Sequence, residues 1–221
     1  MNSLNTSETK HGSAAGERNG AAKTNFGQIV YQDHESLFND LTERELHNAV
    51  RIKSSSAAKL ARHAPQAHRG EMEKLFNISL YIHQRFEEIH KLPRQDIHGA
   101  ISIFLYGIWS LHNQGATIPG EQFTNLVNNT RHTMLERGGF LKDYEKSTKK
   151  QRQPLYETFA MVGNWLLMIQ HHLTSQPDET ALNNVKIMVR EIITRSLKID
   201  PESIVISQDG HLTISPHIQS G

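Results

Sequence analysis

Two stretches of the chain, residues 103–115 (IFLYGIWSLHNQG) and 159–169 (FAMVGNWLLMI), are too apolar for an exposed surface. Each carries a glycine two residues before a tryptophan, Gly107 before Trp109 and Gly163 before Trp165. Neither reaches the roughly 20 apolar residues that a membrane span requires, and the second is closed by His171 and His172. Both therefore read as buried core helices. A glycine inside a helix costs about 1 kcal/mol relative to alanine, so something must offset that cost twice. One offset is a close helix crossing, in which the missing side chain lets two backbones approach and the tryptophans bury area beside them. The other is a small-ligand pocket at each glycine. A pocket needs a few convergent polar groups, and none accompanies the glycines, which favours the crossing.

The surrounding pattern is helical from about residue 55. SSAAKLARHA reads as a short helix with Ser56 as its N-cap. Met72, Leu75, Ser79, Ile82, Phe86 and Ile89 form one stripe of a longer helix that ends before Pro93. Ile97, Ile101, Phe104, Leu105, Ile108 and Leu111 mark the next, which stops near residues 113–115. Pro119 suits the first turn of a third long helix, with Phe123, Val127, Thr130 and Met134 inward and Gly138-Gly139 as its stop. Pro154 is expected in the first turn of another, where Leu155, Phe159, Val162, Leu166, Ile169 and Leu173 form one stripe. Tyr156, Ala160, Gly163 and Leu167 form a second beside it, and Glu157 is the only charge before Ile169. A helix apolar nearly all round packs on several neighbours. Asp178 is expected to cap the last helix, which buries Val185, Met188, Val189, Ile192 and Leu197. The period then falls to two. Asp209-Gly210 between β-prone runs predicts a two-residue type I′ hairpin with Val205 facing Ile214 and Ser207 facing Leu212. The expected fold class is all-α: a single helical domain of five or six helices with a short C-terminal β-hairpin.

Before the helices, residues 1–35 are polar and small, a composition that cannot offset its own ordering entropy and is expected to be disordered. Residues 36–54 form a poorly defined lead-in, and residues 55–216 the helical domain, with the hairpin at 203–215. GERNGAAKT, residues 16–24, lacks the spacing of a phosphate-binding loop and has no apolar strand before it. No apolar core of a secretory signal is visible at the start, so the expected location is cytoplasmic, with a periplasmic or exported one as the alternative.

Chemistry is sparse. The chain contains no cysteine, which removes disulfides and thiolate chemistry. A formal net charge of +1 supplies no global field toward nucleic acid, and no nucleic-acid role is expected. The best metal candidates are His83, Glu87 and His90, which share a helix face at i, i+4 and i+7; Glu87 to His90 also matches a Glu-x-x-His element. Di-iron bundles need two such elements and only one copy is present, so the competing reading is a solvated polar face and no metal is assigned. His171 and His172 point roughly 100° apart on a helix, and a role at the helix C-terminal dipole is favoured over a shared ligand. A basic connector holds Lys142, Lys146, Lys149, Lys150 and Arg152 amid Asp143 and Glu145; it reads as a solvated segment. No catalytic residue and no cofactor fingerprint is found.

The blocks GAISIFLYGIW, IPGEQF, QPLYETFAMVG and IDPESIVISQDG resemble successive blocks of a bacterial all-helical domain family of unknown function, over about residues 55–214. The resemblance implies a helical domain and leaves function open. Its members often begin with an export signal, a pattern from which this chain departs. What remains is surface. The favoured reading is a non-catalytic protein-interaction module, with Lys149, Lys150 and Arg152 as candidate partner-binding residues. The alternative is a metal- or small-ligand-binding protein using a His-rich helix face, and a secreted bacterial effector is a weaker third.

Overall fold

The computed structural model describes residues 49, 51–64, 66–137, 144–175 and 177–215. The expectations for the polar tail, for most of the lead-in and for the Gly138-Gly139 stop lie outside the described residues. Among the described residues, six helices of seven or more residues follow one another: α1 (Ser55–Ala61), α2 (Arg69–Ile89), α3 (Ile97–His112), α4 (Phe123–Arg137), α5 (Lys149–Ser175) and α6 (Glu179–Ser196). A two-stranded antiparallel hairpin, β1 (Ile204–Ile206) and β2 (Leu212–Ile214), closes the described chain. The fold is all-α with a small hairpin, as the sequence predicts.

The middle of the core is α3, which packs against α4, α5, α6 and β1. Every residue from Ile97 to Leu111 is buried except His98. Its main partner is α5, buried from Tyr156 to Met168 apart from Thr158. The two helices cross at their glycines. A β-carbon placed on Gly107 would stand 2.9 Å from the Gly163 carbonyl oxygen and 3.0 Å from Leu166 Cβ. Backbone occupies the space a side chain would need, so the glycines are packing positions and the ligand-pocket alternative does not hold. Phe104 and Phe159 pack beside the crossing with ring centroids 5.2 Å apart.

Several local expectations are corrected. Ser54, not Ser56, caps α1: its hydroxyl accepts from the backbone N–H of Ser56 (3.1 Å) and Ala57 (3.2 Å). Ser54 also donates to the buried Glu157 carboxylate at 2.7 Å, and its N–H bonds Asn77 Oδ1 at 3.2 Å. Those two tertiary bonds fix which serine of the run starts the helix. In α2 the stripe holds at Ser79, Ile82 and Phe86, but Ile89 is 49 % exposed. This helix contacts both α1 and α5, so Asn77, Leu80, His83 and Glu87 are buried as well. Pro119 precedes a 3-10 turn, Gly120–Gln122, ahead of α4; Phe123, Val127, Thr130 and Met134 face the core as expected. Pro154 lies inside α5, beyond its first turn. In α6, capped by Asp178 onto the Ala181 N–H, Val189 and Ile193 are fully buried while Val185, Met188 and Ile192 are only partly so.

The hairpin register also differs from expectation. Ile204 pairs with Ile214, Val205 with Thr213 and Ile206 with Leu212. The turn spans three residues rather than two: Ser207 N–H bonds the His211 carbonyl, Gly210 N–H bonds the Ser207 carbonyl, and Gly210 takes φ +79°. This is the turn followed by a left-handed glycine that three-residue hairpins use. Its reward is burial: the register turns all four of Ile204, Ile206, Leu212 and Ile214 inward and leaves Val205 outside.

Candidate functional site

A cluster of polar side chains is buried where the end of α2, the loop before α3 and the start of α5 meet. The loop, residues 90–96, is held by Glu87. Its Oε1 accepts from the Asp96 N–H at 3.0 Å and its Oε2 from the Gln95 N–H at 3.1 Å. Lys91 and Gln95 take left-handed conformations there, φ 53° and 60°, which non-glycine residues adopt only when the surroundings impose it. Asp96 then caps α3 through the His98 N–H at 3.2 Å and meets the His98 ring at 3.2 Å. Burial pushes the Asp96 carboxyl up, but the His98 hydrogen bonds and the Arg131 guanidinium, 3.6 Å away, outweigh it and hold the group below its usual range.

His83 and Glu87 are 0 % and 2 % exposed, so the face they share is not solvated. Their side chains approach to 3.6 Å. Burial lowers the His83 pKa to about 3, so the ring is neutral, and burial raises that of Glu87. The Asn164 amide approaches His83 Nδ1 at 3.5 Å and donates to the Ala160 carbonyl at 2.8 Å. His90 turns toward the aromatic core, its ring 4.2 Å from Phe86 and 5.7 Å from Phe123 by centroid. Among the described residues no three His, Asp or Glu side chains come together as a set able to hold a metal ion. Glu87 holds the loop, and His83 packs beside it as a buried neutral ring.

Above this cluster lie two adjoining clefts. One, about 540 Å³, is lined by Gln84, Glu87, Glu88, Arg94, Gln95 and Lys149. The other, about 440 Å³, shares Arg94, Gln95 and Lys149 and adds Tyr144, Ser147, Arg152, Gln153 and Tyr156. Tyr156 is 1 % exposed, and its hydroxyl lies beside the Glu87 carboxyl without meeting full hydrogen-bond geometry. Burial, and then the Glu87 charge, raise the phenol pKa and keep it protonated.

Of the connector's basic residues, Lys149, Lys150 and Arg152 lie in the first turns of α5 rather than in a loop, Lys146 precedes the helix, and Lys142 lies outside the described residues. Gln151 reaches back over the helix start to Thr148, whose N–H and hydroxyl each donate to Gln151 Oε1 at 2.9 Å. The helix starts there, five residues before Pro154. Arg152 folds back, donating to the Ser147 carbonyl at 2.8 Å and to the Glu145 carbonyl, with its guanidinium 5.3 Å from the Tyr144 ring centroid. Lys149 and Lys150 are exposed and have no ion-pair partner among the described residues. The structure thus separates the three candidate residues: two lysines project, and the arginine ties the turn. His171 is exposed near the end of α5; the His172 side chain lies outside the described residues.

Arg94, Gln95 and Tyr156 were not singled out as site residues from sequence. Nothing local marks Arg94 and Gln95, because only the tertiary fold brings the loop to the start of α5. Asp96 did carry a signal, an aspartate just before an apolar helix.

Among the described residues no helix is long and apolar enough to cross a membrane. No curated protein and no solved structure matches the chain significantly. A family model does match, over residues 1–214, more of the chain than the blocks that carry the resemblance. The chain belongs to that family, the family of unknown function DUF6683.

Proposed function

We propose that the protein is a non-catalytic binding module that engages a partner protein through the basic start of α5 and the clefts beside it. The observation that carries this reading is the exposure of Lys149 and Lys150 with no ion-pair partner, next to Arg94 at the mouth of a recess. Cations held near a concave surface steer and orient an acidic partner. The buried carboxyl of Glu87 accepts from two loop N–H groups, and His83 is neutral and enclosed. The test is cross-linking and capture from the native host with the double variant Lys149→Glu, Lys150→Glu. Loss of one specific partner, with the melting temperature unchanged, is the expected result. A partner retained at full strength would place the interface elsewhere. Arg152 is left intact in this test because its replacement would also release the turn at residues 144–148.

A further inference from the structure

Three exposed residues, Pro93, Arg94 and Gln95, run past the buried carboxyl of Glu87, and Arg94 and Gln95 line both clefts. They form a short span between two anchors. On one side Leu92 packs against the core, and its N–H bonds the Glu87 carbonyl at 2.9 Å. On the other Asp96 is buried and caps α3. Within the span, the Gln95 N–H is held by Glu87 Oε2 at 3.1 Å, while Arg94, its side chain 88 % exposed, reaches Glu88 only at 3.8 Å. Gln95 is left-handed at φ 60°, a conformation that persists only while its surroundings impose it.

The carboxyl that holds this span has no cation of its own. His83, on the same helix, stands 3.6 Å away as a neutral ring, and Tyr156 of α5 lies beside it as a protonated phenol, with the Glu157 charge also acting on that phenol. Lys149 of α5 and Arg94 line the recess without an ion pair to Glu87 among the described residues, and Glu88 pairs with Arg85 at 3.0 Å. Asp96 is a second carboxyl close by, and it takes the cations: His98 of α3 at 3.2 Å and Arg131 of α4 at 3.6 Å. Burial opposes a charge on Glu87 and the Asp96 charge adds to it; the bonds from Gln95, Tyr156 and Asp96 offset this only in part.

We propose that residues 93–95 are a strap whose closure is set by the Glu87 proton: with the carboxyl neutral the strap lies shut across it, and when the proton leaves, the strap swings off and lets water reach the charge. The inference rests on the binding reading above and deepens it by naming a regulation of that face, because the strap carries Arg94 and Gln95 out of both clefts. The direction follows from where the charge is better solvated. In the open form Glu87 meets water and titrates near the ordinary 4.5, whereas in the closed form it keeps its proton to higher pH. Below the ordinary value both forms are protonated and the strap stays shut. As pH climbs above it the open form ionises first, and opening gains up to about tenfold per pH unit until the closed form ionises as well. His83 adds no charge to the closed form in that window, since its ring is neutral above about 3. The motion is local: the three strap residues are exposed and give up little burial, and opening lets the Gln95 backbone relax.

The experiment follows the full chain by NMR from about pH 4 to about pH 8, the window in which a buried carboxyl titrates. It reads the Glu87 side-chain carboxyl carbon and the solvent-exchange protection of the Gln95 and Asp96 amides, each corrected for its intrinsic rate. The expected result is protection that falls by up to about tenfold per pH unit above the ordinary carboxyl range and levels off once Glu87 has titrated. The Ala100 amide, bonded to the Asp96 carbonyl at 3.0 Å within α3, should keep its protection throughout, which separates strap opening from unfolding. Glu87→Gln has no proton to lose and should give a flat profile; the wild-type profile decides by itself if that variant does not fold. Protection that stays constant while Glu87 titrates overturns the inference, as does a Glu87 that titrates at or below the ordinary value, or an unchanged slope in Glu87→Gln. Partner capture at about pH 5 and about pH 8, on either side of a raised carboxyl value, should differ in the wild type, and equal capture overturns the regulatory role. A pH-dependent strap with capture unaffected by Lys149→Glu, Lys150→Glu would remove the binding reading and leave the strap standing; a flat strap with that capture lost would sink the strap and leave the binding module.

Discussion

A β-carbon on Gly163 would stand 2.7 Å from the backbone nitrogen of Phe104, and 2.8 Å from both Phe104 Cα and the Ile103 carbonyl carbon. These are backbone atoms of a fully buried helix and cannot step aside singly. Gly163→Ala should therefore destabilise the protein by about 1–3 kcal/mol, the cost of overpacking, even though alanine is the better helix former. Gly107→Ala should cost less, since its two tightest contacts, at 2.9 and 3.0 Å, are longer than those at Gly163. Gly70, with nothing within 4 Å of its β-carbon position, is the control: Gly70→Ala should stabilise by up to about 1 kcal/mol. Denaturant midpoints of the three variants check the order.

Acid should weaken the fold through His83. The folded pKa of about 3 lies below the unfolded 6.5, so the unfolded chain takes the proton first. The stability held above pH 6.5 is lost as pH falls toward 3, at up to about 1.4 kcal/mol per pH unit. Burial of His90 and His112 acts in the same direction. Glu87 runs oppositely: its raised pKa means its burial costs nothing below the unfolded value, and the cost grows as pH climbs through the folded pKa. Unfolding free energies across the window should slope upward with pH, and His83→Gln should flatten the slope. An unchanged slope in that variant would assign the acid sensitivity to other groups.

Ser54→Ala should be disproportionately costly for a serine. It removes an N-cap, worth about 1 kcal/mol, and leaves a buried Glu157 oxygen without its 2.7 Å donor, worth about 1–3 kcal/mol more. Thermal melts should show the two losses together, and Ser54→Thr, which keeps the hydroxyl, should recover most of them.

Gly210→Ala should detach the hairpin turn. The residue sits at φ +79°, and a β-carbon there would fall 2.4 Å from the Gln122 carbonyl oxygen. The left-handed conformation alone costs about 1–2 kcal/mol for an ordinary residue. Hydrogen exchange at Ser207 and Gly210, the donors of the turn, should accelerate well before the helices open.

The sequence made the helices readable because the large apolar residues of α3 and α4 recur at helical spacing: the stripes from Ile97 to Leu111 and from Phe123 to Met134 are buried as that spacing implies, although α3 buries its other faces as well. The same spacing misled wherever a helix buries more than one side. His83 and Glu87 stand opposite the apolar stripe and read as solvated, yet α2 is enclosed by neighbours on that side too. Caps shifted by a residue or two for a similar reason. Ser54 and Ser56 are equivalent by local preference, and only Glu157 and Asn77, far along the chain, choose between them. The hairpin register turned on parity, which the position of Asp209-Gly210 left one residue out and the four inward aliphatics set. The clefts were illegible because Arg94 and Lys149 are neighbours in space alone.

The Ser54–Glu157 bond also bears on how the chain is made. Its partners are 103 residues apart, so during synthesis the first helix must wait for the fifth. At roughly 5–20 residues per second, that wait is roughly 5–20 s. Until then the α1 cap has no tertiary anchor, and the Glu157 carboxylate is not yet enclosed. Helix α1 is thus translated well before the contact that secures it can form.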